Sequence, residues 1–242
     1  MEKIVITGGL GYIGTELCKI YSGEARFKNI VAIDNRFISE RVKQLRNWGI
    51  DFIHGDILNK SLAQKILENS NIIYHLAGVT DVSYTEKESN DEQDKLIQEV
   101  GINGSRIIIE SAPKKSKLIF PSTHVVFEGL EETRLNIVEK DKVCPVLSYS
   151  IGKAQTETDL ANSDLNFVIL RLGSVVGYSQ DTMRINIMPN LFSKNTSQNS
   201  TLKLFSGGRQ HKSLVTIFDV VRCLKFVAES EKITKEIFHC SS

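Results

Sequence analysis

TGGLGYIG, residues Thr7–Gly14, directly follows the apolar run EKIVI (Glu2–Ile6). Glycines 8, 11 and 14 recur every third residue, where the pattern changes from a strand to the helical spacing of Gly11–Tyr21. That context gives the repeat its meaning, since a strand–turn–helix with glycines at these offsets is the fingerprint of a dinucleotide site. Gly8 permits a tight turn. Gly11 lets the backbone approach a diphosphate with no Cβ in the way, and Gly14 lets the helix pack close to the sheet. Tyr12 and Ile13 belong to the same loop, and the unpaired N–H groups opening the helix complete an anion site.

Five more apolar, β-branched runs follow: NIVAID (Asn29–Asp34), DFIHG (Asp51–Gly55), NIIYHLA (Asn71–Ala77), KLIFPST (Lys117–Thr123) and NFVILRL (Asn166–Leu172). Near-continuous apolar character suits strands buried on both faces. Helical patterns alternate with them at Gly11–Tyr21, Ser39–Trp48, Lys60–Glu68, Glu92–Ala112 and Ser148–Asn162. The alternation predicts an α/β fold, a doubly wound parallel sheet of the Rossmann type. SKNTSQNSTLK (Ser193–Lys203) reads as a polar loop, and TEKESNDEQDK (Thr85–Lys95) as a solvated loop and helix start.

The second strand ends in Asp34, about 20 residues beyond the glycines, where a ribose-binding carboxylate is expected. Asn35 stands beside it. The carboxylate favours NAD over NADP, because it accepts from ribose hydroxyls and repels a 2′-phosphate. Arg36 opposes that preference.

The 242 residues carry a formal charge of +1, with 41% hydrophobic and 24% charged residues. No strong field points to nucleic acid or a membrane partner. No apolar run is long enough to span a bilayer. MEKIVITGG lacks the pattern of a secretory leader. The four cysteines, Cys18, Cys144, Cys223 and Cys240, form no CxxC pair. They are expected to be reduced thiols in a cytoplasmic protein, with no metal site.

YSIGK adds a Tyr149–Lys153 pair at i, i+4 on one helix face. Together with TGGLGYIG, GDI (Gly55–Ile57), HLAG (His75–Gly78) and PSTHVVF (Pro121–Phe127), it makes the chain resemble the extended short-chain dehydrogenase/reductase family, most of all its nucleotide-sugar epimerases and dehydratases. The resemblance implies that Asp56 and Ile57 line the adenine pocket and that Leu76, Ala77 and Gly78 lie beside the cofactor. It implies Thr123, Tyr149 and Lys153 as catalytic residues, with Tyr149 and Lys153 also touching NAD. A lysine there holds the nicotinamide ribose, and its ammonium favours the phenolate of Tyr149.

On the substrate side it nominates Thr123, His124, Ser174 (from RLGSVVG), Asn186 (from INIMPNL) and Lys212 (from GGRQHKSLVTIFDVV). Several positions depart from the family pattern. Gly101 stands at a usual asparagine, Lys212 at a usual arginine and Ser213 at a usual aspartate. His124–Val125 stands where sugar 4,6-dehydratases carry an Asp–Glu pair, which argues against dehydration. Relatives continue beyond IFHCSS, so the expected organisation is an NAD-binding domain over 1–175 and a small, abbreviated substrate lobe over 176–242, with 219–242 able to return to the core.

The expected activity is epimerisation of a nucleotide sugar, with UDP-hexose leading, through transient oxidation by NAD. A nucleotide-sugar reductase or dehydrogenase and a non-catalytic NAD-binding regulator are the alternatives. Family members often dimerise through the helices matching Glu92–Ala112 and Ser148–Asn162, so a homodimer is a further expectation.

Overall fold

Seven strands, every pair parallel, form one sheet at the centre of the computed structural model, which describes residues 2–24, 28–79, 90–179, 182–209 and 211–241. The chain runs β1 (Glu2–Thr7), α1 (Tyr12–Tyr21), β2 (Lys28–Asp34), α2 (Ser39–Asn47), β3 (Asp51–His54), α3 (Lys60–Leu67) and β4 (Ile72–His75). It continues through α4 (Asp91–Gln98), a π-helical turn (Glu99–Gly104), α5 (Ser105–Ser111), β5 (Lys117–Thr123), α6 (Ser148–Ala161) and β6 (Asn166–Leu172). The last elements are β7 (Ser174–Val176), α7 (Met188–Ser197), β8 (Leu214–Thr216), α8 (Ile217–Glu229) and β9 (Glu236–Cys240).

The strand order is β3-β2-β1-β4-β5-β6-β9, with β7 and β8 paired in a separate two-stranded sheet. After β3 the chain returns to the far side of β1, so the order reverses between β1 and β4. Ligands of open α/β sheets sit at such a switch point, beyond the carboxyl ends of the strands. The doubly wound parallel sheet is therefore as the sequence predicts.

Period-two alternation divides the core between the two faces. Ile4, Ile6, Ile30, Ala32, Tyr74 and Val168 pack with residues of α1, α2 and α8. Val5, Ile33, Ile73, Leu118, Phe120 and Ile169 pack with residues of α3, α5 and α6.

Two expectations need correction, and a third lies partly outside the described residues. The helix expected over Glu92–Ala112 is interrupted by the π-helical turn at Glu99–Gly104. Gly101 leaves its carbonyl to accept hydroxyls from Ser105 at 2.6 Å and Thr156 at 3.1 Å. A Cβ on Gly104 would lie 2.7 Å from Ile57 Cδ1, so a side chain there would require Ile57 to shift. Ser193–Ser197, expected as loop, forms the end of α7, with Pro189 in its first turn, where the missing N–H costs nothing. Of the charged stretch Thr85–Lys95, residues 85–89 lie outside the described residues; Asn90 caps α4, its side chain accepting from Glu92 N at 3.0 Å.

β7, β8, α8 and β9 lie outside the six strands and five helices read from the sequence. The start of α8 does carry a signal. Thr216 accepts from the Asp219 N–H at 3.1 Å, a Thr-x-x-Asp cap ahead of an amphipathic run.

A buried hydrogen-bond chain crosses the switch point. Thr7 Oγ1 accepts from Ala77 N at 3.0 Å and contacts His75 Nδ1 at 3.0 Å. His75 Nε2 meets Ser105 Oγ at 2.9 Å, and Ser105 donates onward to Gly101 O. These partners fit a neutral imidazole that donates through Nε2 and accepts from the Thr7 hydroxyl.

Burial, with the nearby Lys153 charge adding to it, pushes the His75 pKa down to about 3. The unfolded chain protonates this histidine near its ordinary value of about 6.5. Its contribution is complete above that pH and is lost as pH falls toward 3, with an upper bound of about 5 kcal/mol. Urea titrations at pH 7 and pH 4 are expected to show a smaller acid loss in His75→Gln than in the parent; equal losses would place the acid sensitivity elsewhere.

Candidate active site

The glycine turn takes its shape from backbone contacts that exclude side chains. Gly8 sits at φ +71°, and a Cβ there would lie 2.8 Å from Ala77 N. Gly11 donates its N–H to Gly8 O at 3.0 Å, and a Cβ on Gly14 would meet the same oxygen at 2.2 Å. The turn therefore closes tightly under the N-terminus of α1. Tyr12 donates its hydroxyl to Gly177 O at 2.5 Å, and Asn190 Oδ1 accepts from Gly177 N at 3.1 Å. Buried Glu16 accepts from Ser179 Oγ at 2.6 Å. These contacts bind the chain after β7 to the helix opened by the glycines.

Above this turn lies a cleft of about 1220 Å³. Gly8, Gly11, Tyr12, Ile13 and Gly14 line one side of it, with Asp34, Asn35, Asp56 and Ile57. Leu76, Ala77 and Gly78 follow β4 into the same space. Thr123, His124, Tyr149, Lys153, Ser174 and Lys212 also line it. The fold thus gathers every nominated residue except Asn186 into one cavity.

Asn186 is exposed, outside the lining, and its Oδ1 accepts from Arg184 Nε at 3.1 Å. Its neighbours Ile185 and Ile187 line the cleft instead. Ile185 and Asn186 lie in a turn ahead of α7, so successive side chains leave the backbone in different directions.

Thr123 ends β5, where it is buried and its Oγ1 accepts from Val125 N at 3.3 Å. Tyr149 and Lys153 share a face of α6. Lys153 Nζ donates to Pro121 O at 2.8 Å and lies 4.4 Å from the Phe120 ring centroid and 5.8 Å from that of Tyr149. Burial pushes the Lys153 pKa down to about 8, with Glu157 pulling upward. Burial also raises the Tyr149 phenol above its ordinary value, and the charge opposing the rise is that of Arg184. In this geometry the Lys153 ammonium is disfavoured by burial and donates a hydrogen bond to a backbone carbonyl.

His124 Nδ1 is 3.0 Å from Leu172 O. Burial lowers its pKa; the Leu172 bond opposes the shift, Lys212 adds to it and Glu128 counters it.

Several residues with no nomination build the site. Glu128 Oε1 accepts from Val146 N at 3.0 Å, Leu147 N at 2.7 Å and the Ser150 hydroxyl, holding the N-terminus of α6 beneath Tyr149. No local spacing announces this contact, since the partners are 18 to 22 residues apart. Glu157, one turn beyond Lys153, accepts from Ser122 Oγ at 2.5 Å and from Arg171 Nη2 at 2.7 Å. Both partners of that ion pair are buried. Ser122 adjoins Thr123, so the network ties α6, β5 and β6 into one frame. Among the described residues, no cluster of three or more His, Cys, Asp or Glu could hold a metal, and no helix is long and apolar enough to cross a membrane.

The glycine geometry predicts a large effect on ligand binding. Gly14→Val puts a side chain against the Gly8 carbonyl and should abolish dinucleotide binding. Isothermal titration of a variant shown by circular dichroism to be folded checks it; parental affinity would refute the role of this turn.

Comparison with known proteins places the site in context. Residues 4–240 match the family model described as the NAD dependent epimerase/dehydratase family. The chain is 25% identical over 252 residues to a UDP-N-acetyl-alpha-D-glucosaminuronate decarboxylase of Bacillus cytotoxicus, covering 100% of this chain and 75% of that one. It is 24% identical over 254 residues to a dTDP-D-glucose 4,6-dehydratase of Dictyostelium discoideum, covering 96% of this chain and 57% of that one. Among solved structures it resembles the UDP-glucuronic acid 4-epimerase of Bacillus cereus in complex with UDP-glucuronic acid and NAD. There the TM-score is 0.85 and the identity 25%, over 99% of this chain and 77% of that one.

Proposed function

This chain belongs to the NAD-dependent epimerase/dehydratase family, and from that premise we propose that it is an NAD-dependent epimerase of a nucleotide sugar, with a UDP-linked hexose as the leading substrate. One observation carries the reading: Thr123, Tyr149 and Lys153 share a single cleft with the glycine turn, at the switch point of the sheet. The turn fits a dinucleotide diphosphate, because its backbone leaves the room that a Cβ on Gly8 or Gly14 would fill. Bound NAD supplies a hydride acceptor that can return the hydride to the substrate.

The residues divide the remaining work. Gly8, Gly11, Tyr12, Ile13 and Gly14 hold the diphosphate; Asp34, Asn35, Asp56, Ile57, Leu76, Ala77 and Gly78 surround the adenosine and the chain beyond it. Thr123 orients the reacting hydroxyl. Tyr149 takes its proton, and the Arg184 charge eases that step by favouring phenolate. Lys153, held on Pro121 O, stands ready for the nicotinamide ribose. His124, Ser174 and Lys212 face the sugar nucleotide, and the segment between β7 and β8 forms the substrate side. Two copies pair through α4–α5 and α6, where Leu96 and Ile151 are exposed.

His124–Val125 supports epimerisation over dehydration, since neither side chain is a carboxylic acid that could drive elimination of water. The test incubates the NAD-loaded protein with UDP-hexoses and UDP-hexuronates and follows the products by NMR. Appearance of the epimer with no net NADH supports the reading. Stoichiometric NADH formation would replace it with a dehydrogenase, carbon dioxide release with a decarboxylase, and NAD binding without turnover with a regulator.

A further inference from the structure

The carboxylate expected to select NAD already has its acceptor positions filled by the chain itself. Asp34 Oδ1 accepts from Arg36 N and Arg36 Nε, both at 3.0 Å. Its Oδ2 accepts from Leu10 N at 3.0 Å and Arg36 Nη2 at 3.2 Å. A carboxylate offers about four lone-pair sites, so these four donors saturate it. Asp34's side chain is 4% exposed, whereas that of Arg36 is 54% exposed. Arg36 also lines the cleft, and its Nη2 would lie 3.9 Å from a Cβ on Gly11. The guanidinium therefore spans the space between the ribose carboxylate and the diphosphate turn. Arg41 lines the same end and donates Nη1 to Leu10 O at 2.8 Å.

Rejection of a 2′-phosphate at such a site depends on a carboxylate that presents bare negative charge to the ribose. Here that charge is paired in a two-pronged contact. The contact uses two of the five N–H donors of the guanidinium, and a guanidinium is well matched to a phosphate. NAD, by contrast, must displace Arg36 before its ribose hydroxyls can reach Asp34.

We infer that the adenosine end of this cleft accepts a 2′-phosphorylated dinucleotide, NADP, as well as NAD, and that Arg36 is the residue that admits it. The inference rests on the reading of the cleft as a dinucleotide site. It adds a second ligand class and a specificity-determining residue to that reading. In the NADP complex Arg36 shields the phosphate from Asp34, and Arg41 adds a second positive charge near it.

Calorimetric titration of the nucleotide-free protein with NAD and with NADP, at low and moderate salt, tests this independently of turnover. Both ligands are expected to bind, with affinities within about tenfold of each other. Arg36→Leu should weaken NADP by about tenfold or more, the worth of one charge-assisted contact, and should leave NAD as tight or tighter because Asp34 is released. Thermal melts of the variant establish that it is folded. NADP affinity should also fall more steeply with salt than NAD affinity in the parent.

Binding of NAD with no detectable binding of NADP overturns the inference and leaves the dinucleotide reading intact. Equal weakening of both ligands by Arg36→Leu overturns it too, because Arg36 would then serve the turn and not the phosphate. Failure of both ligands to bind the parent removes the dinucleotide reading itself.

Discussion

Replacing Tyr149 with phenylalanine is expected to lower turnover of the nucleotide sugar by about 10²–10⁴-fold, the range of a lost acid–base group. The ring sits in the cleft wall within reach of the Lys153 ammonium, 5.8 Å from its centroid, and phenylalanine preserves that packing. Only the proton-carrying oxygen disappears. Dinucleotide affinity should therefore stay at the parental value, because the glycine turn and Asp34 are untouched. In the parent, the raised Tyr149 pKa keeps the phenol protonated at neutral pH, so turnover should rise with pH as phenolate forms. The variant should lose that dependence along with its rate. Single-turnover kinetics across pH, with NAD affinity measured alongside, provide the check. A variant that keeps half the parental rate would move the proton transfer to another group.

Glu157→Ala is expected to destabilise the protein by about 3–5 kcal/mol, because removing one partner of a buried pair leaves the other charge uncompensated. Arg171 loses contacts at 2.7, 3.1 and 3.2 Å, and Ser122 loses its acceptor at 2.5 Å. Among the described residues, Arg171 keeps its bond to Glu139 O, at 3.0 Å, the charge of the Glu139 carboxylate and its place against the Phe127 ring. The effect should extend into the site. Glu157 is the group that raises the Lys153 pKa against burial, so Lys153 should lose its proton at lower pH in the variant. Urea denaturation gives the stability loss, and Glu157→Gln, which can still accept from Arg171 and Ser122, should lose less. A loss below about 1 kcal/mol for Glu157→Ala would mean that Arg171 finds new partners or water, as surface-like pairs do.

The framework is legible in local patterns along the chain. Six β-branched runs separated by helical patterns require a parallel sheet, since buried strands of that kind need helices on both faces. Glycines at 8, 11 and 14 placed the turn, because Gly8 takes a positive φ and a Cβ on Gly11 or Gly14 would meet the Gly8 carbonyl within the turn itself. The Tyr149–Lys153 spacing placed both side chains on one face of a helix. All of these are local rules, in which periodicity and the absence of a Cβ act over a turn or a strand.

Tertiary structure alone decided what such rules leave open. It placed β9 beside β6, seated Asn186 outside the cleft and Ile185 and Ile187 within it, and brought Glu128 to the start of α6. It also paired Arg36 with Asp34 so fully that a carboxylate legible as a ribose ligand has its acceptor sites taken. The titration of the site was equally out of reach, because burial outweighs sequence proximity. Lys153 is four residues from Tyr149, yet its own charge is disfavoured by desolvation, and the cation that bears on the phenol is Arg184, 35 residues further along the chain. Charges act through space and dielectric, and neither can be assigned until the chain has folded.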